Sequence, residues 1–220
     1  MSSERPEQFL PAEQDPPGTD SIIPGSLTEA DGAPTTVGGV RVLGIDPGSV
    51  ITGYALVSSV PGRPDAVLHE AGVVRLGRIE RLVDRLVTLH EDMSELINQT
   101  RPDLIAIEKI YAHYAHPTTA IRMAHARGVI LLAARQRRVD LVEVAATEVK
   151  KAVTGHGHAT KRQIQLAVQA QCRLLELPTP SDVADAIAIA LTVARRAECR
   201  VQIEERGRPV APRRTRAGAT

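Results

Sequence analysis

Two apolar runs in this chain each end on a carboxylate, and an Ala-rich run carries two more. VRVLGID (40–46) stops at Asp46, and Pro47-Gly48-Ser49 follow at once. LIAIEKI (104–110) carries Glu108 among Ile105, Ile107 and Ile110. SDVADAIAIAL (181–191) holds Asp182 and Asp185 among alanines and isoleucines. The first two runs read as buried strands and the third as a helix, where a spacing of three puts both acids on one face. A buried carboxylate is costly unless it is paired or holds a cation. Several such acids converging on one place suggest a cation site. With no Cys or His partners, such an oxygen set suits a hard ion such as Mg²⁺ and metal-assisted chemistry on phosphate.

Each acid also has a plainer reading. Asp46 in Asp-Pro-Gly is a common turn former, and Glu108 fits the outward face at a strand end. Asp182 suits the first turn of a helix, by capping or by its charge against the helix dipole. Capping explains Asp185 poorly, because Ala184, Ala186, Ile187 and Ile189 around it read as buried.

The order of elements sets the fold class. ITGYALVSS (51–59) and AVLHEAGVVRL (66–76) follow the first strand after short turns, giving an antiparallel meander. IERLVDRLVTLHEDMSELINQT (79–100) has Leu82, Leu86, Leu89, Met93 and Leu96 at helical spacing and is stopped at Arg101-Pro102. After the 104–110 strand come a helix near 118–137, a strand DLVEVA (140–145), a short helix near 146–153, and helices near 160–176 and 181–198. This layout predicts an α/β, RNase H-like fold: a mixed five-stranded sheet flanked by helices. Fold alone does not give function.

The 220 residues suit one domain with tails, and hydrophobic residues at 43% suffice for its core. Aromatics are only 2%, so each exposed Tyr gains interest as a base-stacking platform. Residues 1–39, rich in Pro, Gly and acid, read as a disordered extension, 40–202 as the nuclease domain, and 203–220 as a flexible basic tail. Residues 1–40 carry seven acids and one Arg, so the net charge of +1 leaves +7 on the remainder. An acidic tail on a basic body fits a polyanionic partner. Cys172 and Cys199 have no partner at zinc-finger spacing and read as reduced thiols. The N-terminus lacks an apolar signal region, and no apolar run reaches the ~18 residues that span a bilayer. The expected location is cytoplasmic, with no membrane association.

LGIDPGSxxTGY, the AIE strand with an aromatic three residues on, VKK…TGHGHATK and DxxDAIAIA occur in that order. In combination they resemble the RuvC family of Holliday-junction resolvases, over roughly residues 40–198. The resemblance implies a homodimer that nicks two symmetric strands of a four-way DNA junction. It implies two Mg²⁺ per site and Asp46, Glu108, Asp182 and Asp185 as catalytic and metal-binding positions. It implies DNA contacts from Tyr111, Lys150 and Lys161, and the RuvA–RuvB branch-migration complex as partner. Plainer readings stand beside these: a strand-edge Tyr111, and solvated helix lysines. His156 and His158 fit a DNA-contacting loop better than a metal site, and Arg122 and Arg127 could face DNA or solvent. One departure is Val50, where many relatives have a basic side chain.

Other readings are a general nuclease on the same fold, a non-catalytic junction-binding module, and an ATP-binding kinase- or chaperone-like protein. The last needs a second similar domain, for which the chain is too short. Four intact carboxylates argue against the binding module, because without a cation they repel DNA.

Overall fold

A computed structural model describes residues 18–23, 39–63, 65–109 and 117–207. Its elements in chain order are β1 (Gly18–Ile23), β2 (Arg41–Asp46), β3 (Ile51–Ser59), β4 (Ala66–Arg75), α1 (Leu82–Thr100) and β5 (Leu104–Glu108). There follow α2 (Pro117–Gln136), β6 (Asp140–Val144), α3 (Ala146–Thr154), α4 (Lys161–Cys172) and α5 (Ser181–Gly207). The strands form one mixed sheet in the order β1-β4-β3-β2-β5-β6. β1 through β2 in that order are antiparallel neighbours, while β2, β5 and β6 run parallel. The five strands read from the sequence are β2 to β6.

Strand alternation sorts the core into two layers. Leu43 and Ile45 of β2, Tyr54 and Leu56 of β3, and Ile105 and Ile107 of β5 pack with Leu89, Met93 and Ile130 of α1 and α2. Val42, Ala55, Val57 and Ala106 point the other way, into the cluster built by α3, α4 and α5. Residues 183–194 of α5 are buried except for Asp185, which is why this helix is rich in alanine and isoleucine and lacks a solvated polar face.

Two glycines set how close α5 lies to the sheet. A Cβ on Gly44 would stand 2.5 Å from the Ala186 carbonyl oxygen and 2.6 Å from the Ala190 nitrogen. A Cβ on Gly53 would overlap the Asp182 carbonyl oxygen. Only a residue without a side chain lets helix backbone lie directly on strand backbone here.

Two boundaries differ from the sequence expectation. β1 falls inside the 1–39 extension and pairs antiparallel with β4, Gly18 opposite Arg75. Its β-branched Thr19, Ile22 and Ile23 favour extended backbone, and β4 offers an otherwise open sheet edge. At the other end α5 continues to Gly207 and takes in the first five residues of the 203–220 tail. The helix formers Glu204, Glu205 and Arg206 extend it until Gly207, with Pro209 close behind. Of the expected α1 core positions, Leu89, Met93 and Leu96 are buried, while Leu82 is 37% exposed.

Candidate active site

Strand period and register bring the first two carboxylates together. In the parallel β2–β5 pair Gly44 lies opposite Ala106 and Ile45 opposite Ile107. Asp46 and Glu108, one residue further on in each strand, therefore emerge at the same sheet end on neighbouring strands, about 5 Å apart in backbone. They share the parity of Gly44 and Ala106, so both point toward α5. The first turns of α5 supply Asp182 and Asp185. All four line one cavity of about 540 Å³, joined there by Lys150 of α3 and Lys161 of α4.

Local structure fixes each contributor. After Asp46 the chain is held by Thr52, a fully buried residue of β3. Its hydroxyl donates to the Gly48 carbonyl oxygen at 2.9 Å and accepts from the Gly48 nitrogen at 3.2 Å. Lys161 is the first residue of α4, behind a reciprocal cap. The Thr160 Oγ1 accepts from the Gln163 nitrogen (3.3 Å), and the Gln163 Oε1 accepts from the Thr160 nitrogen (2.8 Å). The Lys161 Nζ reaches the Ser181 Oγ at 3.4 Å, beside the start of α5.

The carboxylates act on one another. Burial above all, then Asp185, Glu108 and Asp182, hold the Asp46 carboxyl well above the usual range, against a smaller pull from Lys161. Glu108 is raised by burial and by Asp185, opposed by Lys150 and Lys161. Asp185 is raised by burial and by Asp182, opposed by the same two lysines. An acid whose folded pKa lies above its unfolded value binds more protons when folded, so it costs stability as pH rises through that window. The metal-free protein should therefore lose stability as pH climbs from about 4 through the raised values of these three groups. His69, lowered by burial and by Arg41, acts oppositely, giving stability that is lost as pH falls through the histidine range. The check is a pH series of thermal melts in EDTA for the wild type and Asp46→Asn. The wild type should gain more from acidification, and equal slopes would refute the coupling.

The donor chemistry suits a hard cation: oxygen ligands, a polar cavity and mutual repulsion that a cation relieves. Among the described residues no three Asp, Glu, His or Cys side chains stand close enough together to hold a metal ion unaided.

The other expected residues separate. Tyr111, with Tyr114, His113 and His116, lies outside the described residues. Tyr54 is fully buried, so it offers no stacking face. His156 lines a different cavity of about 290 Å³ between α3 and α4, and His158 is exposed. Val50 lines the carboxylate cavity and is 48% exposed, an apolar rim. Cys172 is half-buried, its thiol pushed up to about 11 by burial, an unreactive state. Arg122 is exposed, whereas the Arg127 side chain is mostly buried. It reaches the Glu108 carbonyl oxygen and the Glu143 carboxylate. The sequence reading gave no role to Thr52 or Glu143. A Thr inside an otherwise apolar strand was the available sign for the first, while Glu143 on an edge strand offered none.

Comparison with known proteins gives the family. The family described as crossover junction endodeoxyribonuclease RuvC matches residues 42–193. A Rhodopirellula baltica protein of that name is 48% identical over 150 residues, 68% of this chain and 83% of the relative. One from Gloeobacter violaceus is 43% identical over 154 residues, 70% and 87%. The structure of Thermus thermophilus RuvC in complex with Holliday junction substrate superposes with a TM-score of 0.67 and 34% identity, covering 73% of this chain and 96% of that one. The yeast mitochondrial Holliday junction resolvase, at 16% identity and a TM-score of 0.54, shares the fold. The α/β, RNase H-like expectation thus holds, and the chain belongs to the RuvC family of crossover junction endodeoxyribonucleases.

Proposed function

We propose that this chain resolves four-way DNA junctions by Mg²⁺-dependent nicking of two symmetric strands. The observation that carries the reading is the meeting of four carboxylates and two lysines in one open cavity, in a member of this nuclease family. Metal dependence goes with the family. The identity of the ion and a count of two per site are part of the proposal.

In this reading Asp46 and Glu108 are rigid donors because strand ends hold them. Asp182 and Asp185 are set opposite by α5, whose distance from the sheet is fixed at Gly44 and Gly53. Bound Mg²⁺ would supply the charge that polarises a phosphate oxygen and favours ionisation of a water. Lys150 and Lys161 hold the substrate backbone as simple phosphate contacts and offset the repulsion between DNA and the acids. Attack of water at phosphorus with departure of the 3′ oxygen leaves 5′-phosphate and 3′-hydroxyl ends. Tyr111, three residues beyond Glu108, is proposed to stack on an unpaired base near the junction centre.

A homodimer could use α2, where Ile121 and Leu132 are 57% and 52% exposed. Coupling to the RuvA–RuvB complex rests on family membership alone. Among the described residues no helix is long and apolar enough to cross a membrane, and a cytoplasmic location is proposed from the DNA substrate. We retain 40–202 as the nuclease domain, with β1 and the end of α5 reaching beyond it.

The test is a labelled synthetic four-way junction beside its linear duplex, with Mg²⁺ and with EDTA. Paired symmetric nicks confined to the junction and lost in EDTA are expected. Equal cutting of duplex would leave a general nuclease, and binding without cutting under any divalent ion would leave a junction-binding module.

A further inference from the structure

Glu108 is the last residue of β5, and β2 pairs with β5 only as far as Ile45 opposite Ile107. On its other side β6 still holds the strand, with Val144 opposite Glu108 and the Lys109 nitrogen donating to the Val144 carbonyl at 2.8 Å. A third element reaches this point. Arg127 of α2 donates from Nη1 to the Glu108 carbonyl oxygen at 2.7 Å, and from Nη2 to the Glu143 Oε1 on β6. The Arg127 side chain is only 12% exposed, against 44% for Glu143. One planar fork thus spans a helix and two strands at the residue whose carboxylate enters the cavity. Guanidinium geometry suits this, since its donors are fixed relative to one another and its charge is met by Glu143.

We propose that Arg127, backed by Glu143, is a positioning residue for strand cleavage. It holds the Glu108 backbone where the β2 ladder has ended, and so fixes the direction of the Glu108 carboxylate. This rests on the reading of Glu108 as one of the four reaction carboxylates. Arg127 touches no substrate atom in this role. Its effect falls on the catalytic step and on metal use, with junction affinity unaffected.

The experiment uses the full chain with Arg127→Gln, Arg127→Lys, Glu143→Gln and Glu108→Gln. Junction binding is measured by anisotropy in EDTA, the Mg²⁺-induced rise in Tm by thermal melts without DNA, and single-turnover cleavage across a Mg²⁺ series. Arg127→Gln should cut about 10- to 100-fold more slowly, as is usual for a group that orients a metal ligand. It should also need more Mg²⁺ for half-maximal rate and show a smaller Mg²⁺-induced rise in Tm, with binding in EDTA unchanged. Arg127→Lys keeps the charge but not the fork, and should recover only part of the rate. It also serves if the Gln variant folds poorly. Glu143→Gln should show the same pattern with a smaller loss. Wild-type rate and Mg²⁺ dependence in Arg127→Gln would overturn the proposal. A loss matched by weaker binding in EDTA would overturn it too, making Arg127 a DNA contact. If Glu108→Gln cuts at the wild-type rate, the reading of Glu108 falls first, a separate result from either of these.

Discussion

Replacing Asp46 by Asn should stop junction cleavage while leaving the junction bound. Asp46 is the acid on which the other three act most, being raised by burial and by Asp185, Glu108 and Asp182 together. The change keeps the side chain's shape and removes its charge. It takes away one fixed anionic donor from an arrangement expected to supply several kcal/mol of transition-state stabilisation. At about 1.4 kcal/mol per tenfold in rate, the loss is on the order of 10³-fold. The metal-free fold should respond in the opposite sense. Burial of an ionised carboxylate among three others is unfavourable, so Asp46→Asn should melt at a higher temperature in EDTA. Junction affinity in EDTA should be equal or tighter, because one charge that would repel DNA has gone from the cavity. The measurements are single-turnover cleavage in Mg²⁺, anisotropy in EDTA and thermal melts at neutral pH. Cleavage within tenfold of wild type would remove Asp46 from the chemistry. Lower stability in EDTA would contradict the electrostatic account of the cluster.

Gly44→Ala should carry a large stability cost for so small a substitution. The added methyl would meet two backbone atoms of α5, the Ala186 oxygen at 2.5 Å and the Ala190 nitrogen at 2.6 Å, and the Ala190 Cβ at 2.7 Å. None is the free end of a flexible side chain. The helix is buried all round over this stretch, so it can move only by disturbing its other neighbours. Overpacking of a dense core costs about 1–3 kcal/mol and occasionally more, and this contact belongs at the upper end. For a domain of this size that lowers Tm by roughly 10 °C. Activity should fall further than the loss of folded protein explains, because lifting α5 from β2 also moves Asp182 and Asp185 away from Asp46 and Glu108. The check is the cleavage rate per folded molecule well below the melting point. A variant with near-wild-type Tm and rate would show that α5 can shift at little cost, and that the carboxylate spacing is not set here.

The site was legible in the sequence to the extent that it depends on local rules. Asp46 and Glu108 each stop an apolar run, and an acid in such a place declares itself because burial must be compensated. Asp182 and Asp185 declare themselves by helical spacing in a stretch too apolar for a solvated helix. The cap that starts α4, Thr160 with Gln163, follows an equally local rule, although it enters only with the structure. The motif order did the rest, since its combination points to one family.

What escaped the sequence depends on partners distant along the chain. Thr19, Ile22 and Ile23 are too short a signal to announce a strand in a Pro- and Gly-rich stretch, because β1 has its hydrogen-bond partner only at the β4 edge. The burial of the Arg127 side chain was likewise hidden: an Arg on a helix with mixed faces reads as solvated, and its acceptors lie 16 and 19 residues away. Composition and pattern determined by themselves that this chain folds as a mixed sheet flanked by helices, with four acids that suggest a common cation site. Tertiary structure alone decided how those acids meet. The parallel register puts Asp46 beside Glu108, and the bare backbone at Gly44 and Gly53 brings α5 down onto the sheet. Helix spacing and strand alternation are set by neighbours in sequence, whereas register and the close approach of layers are set by packing across the whole domain.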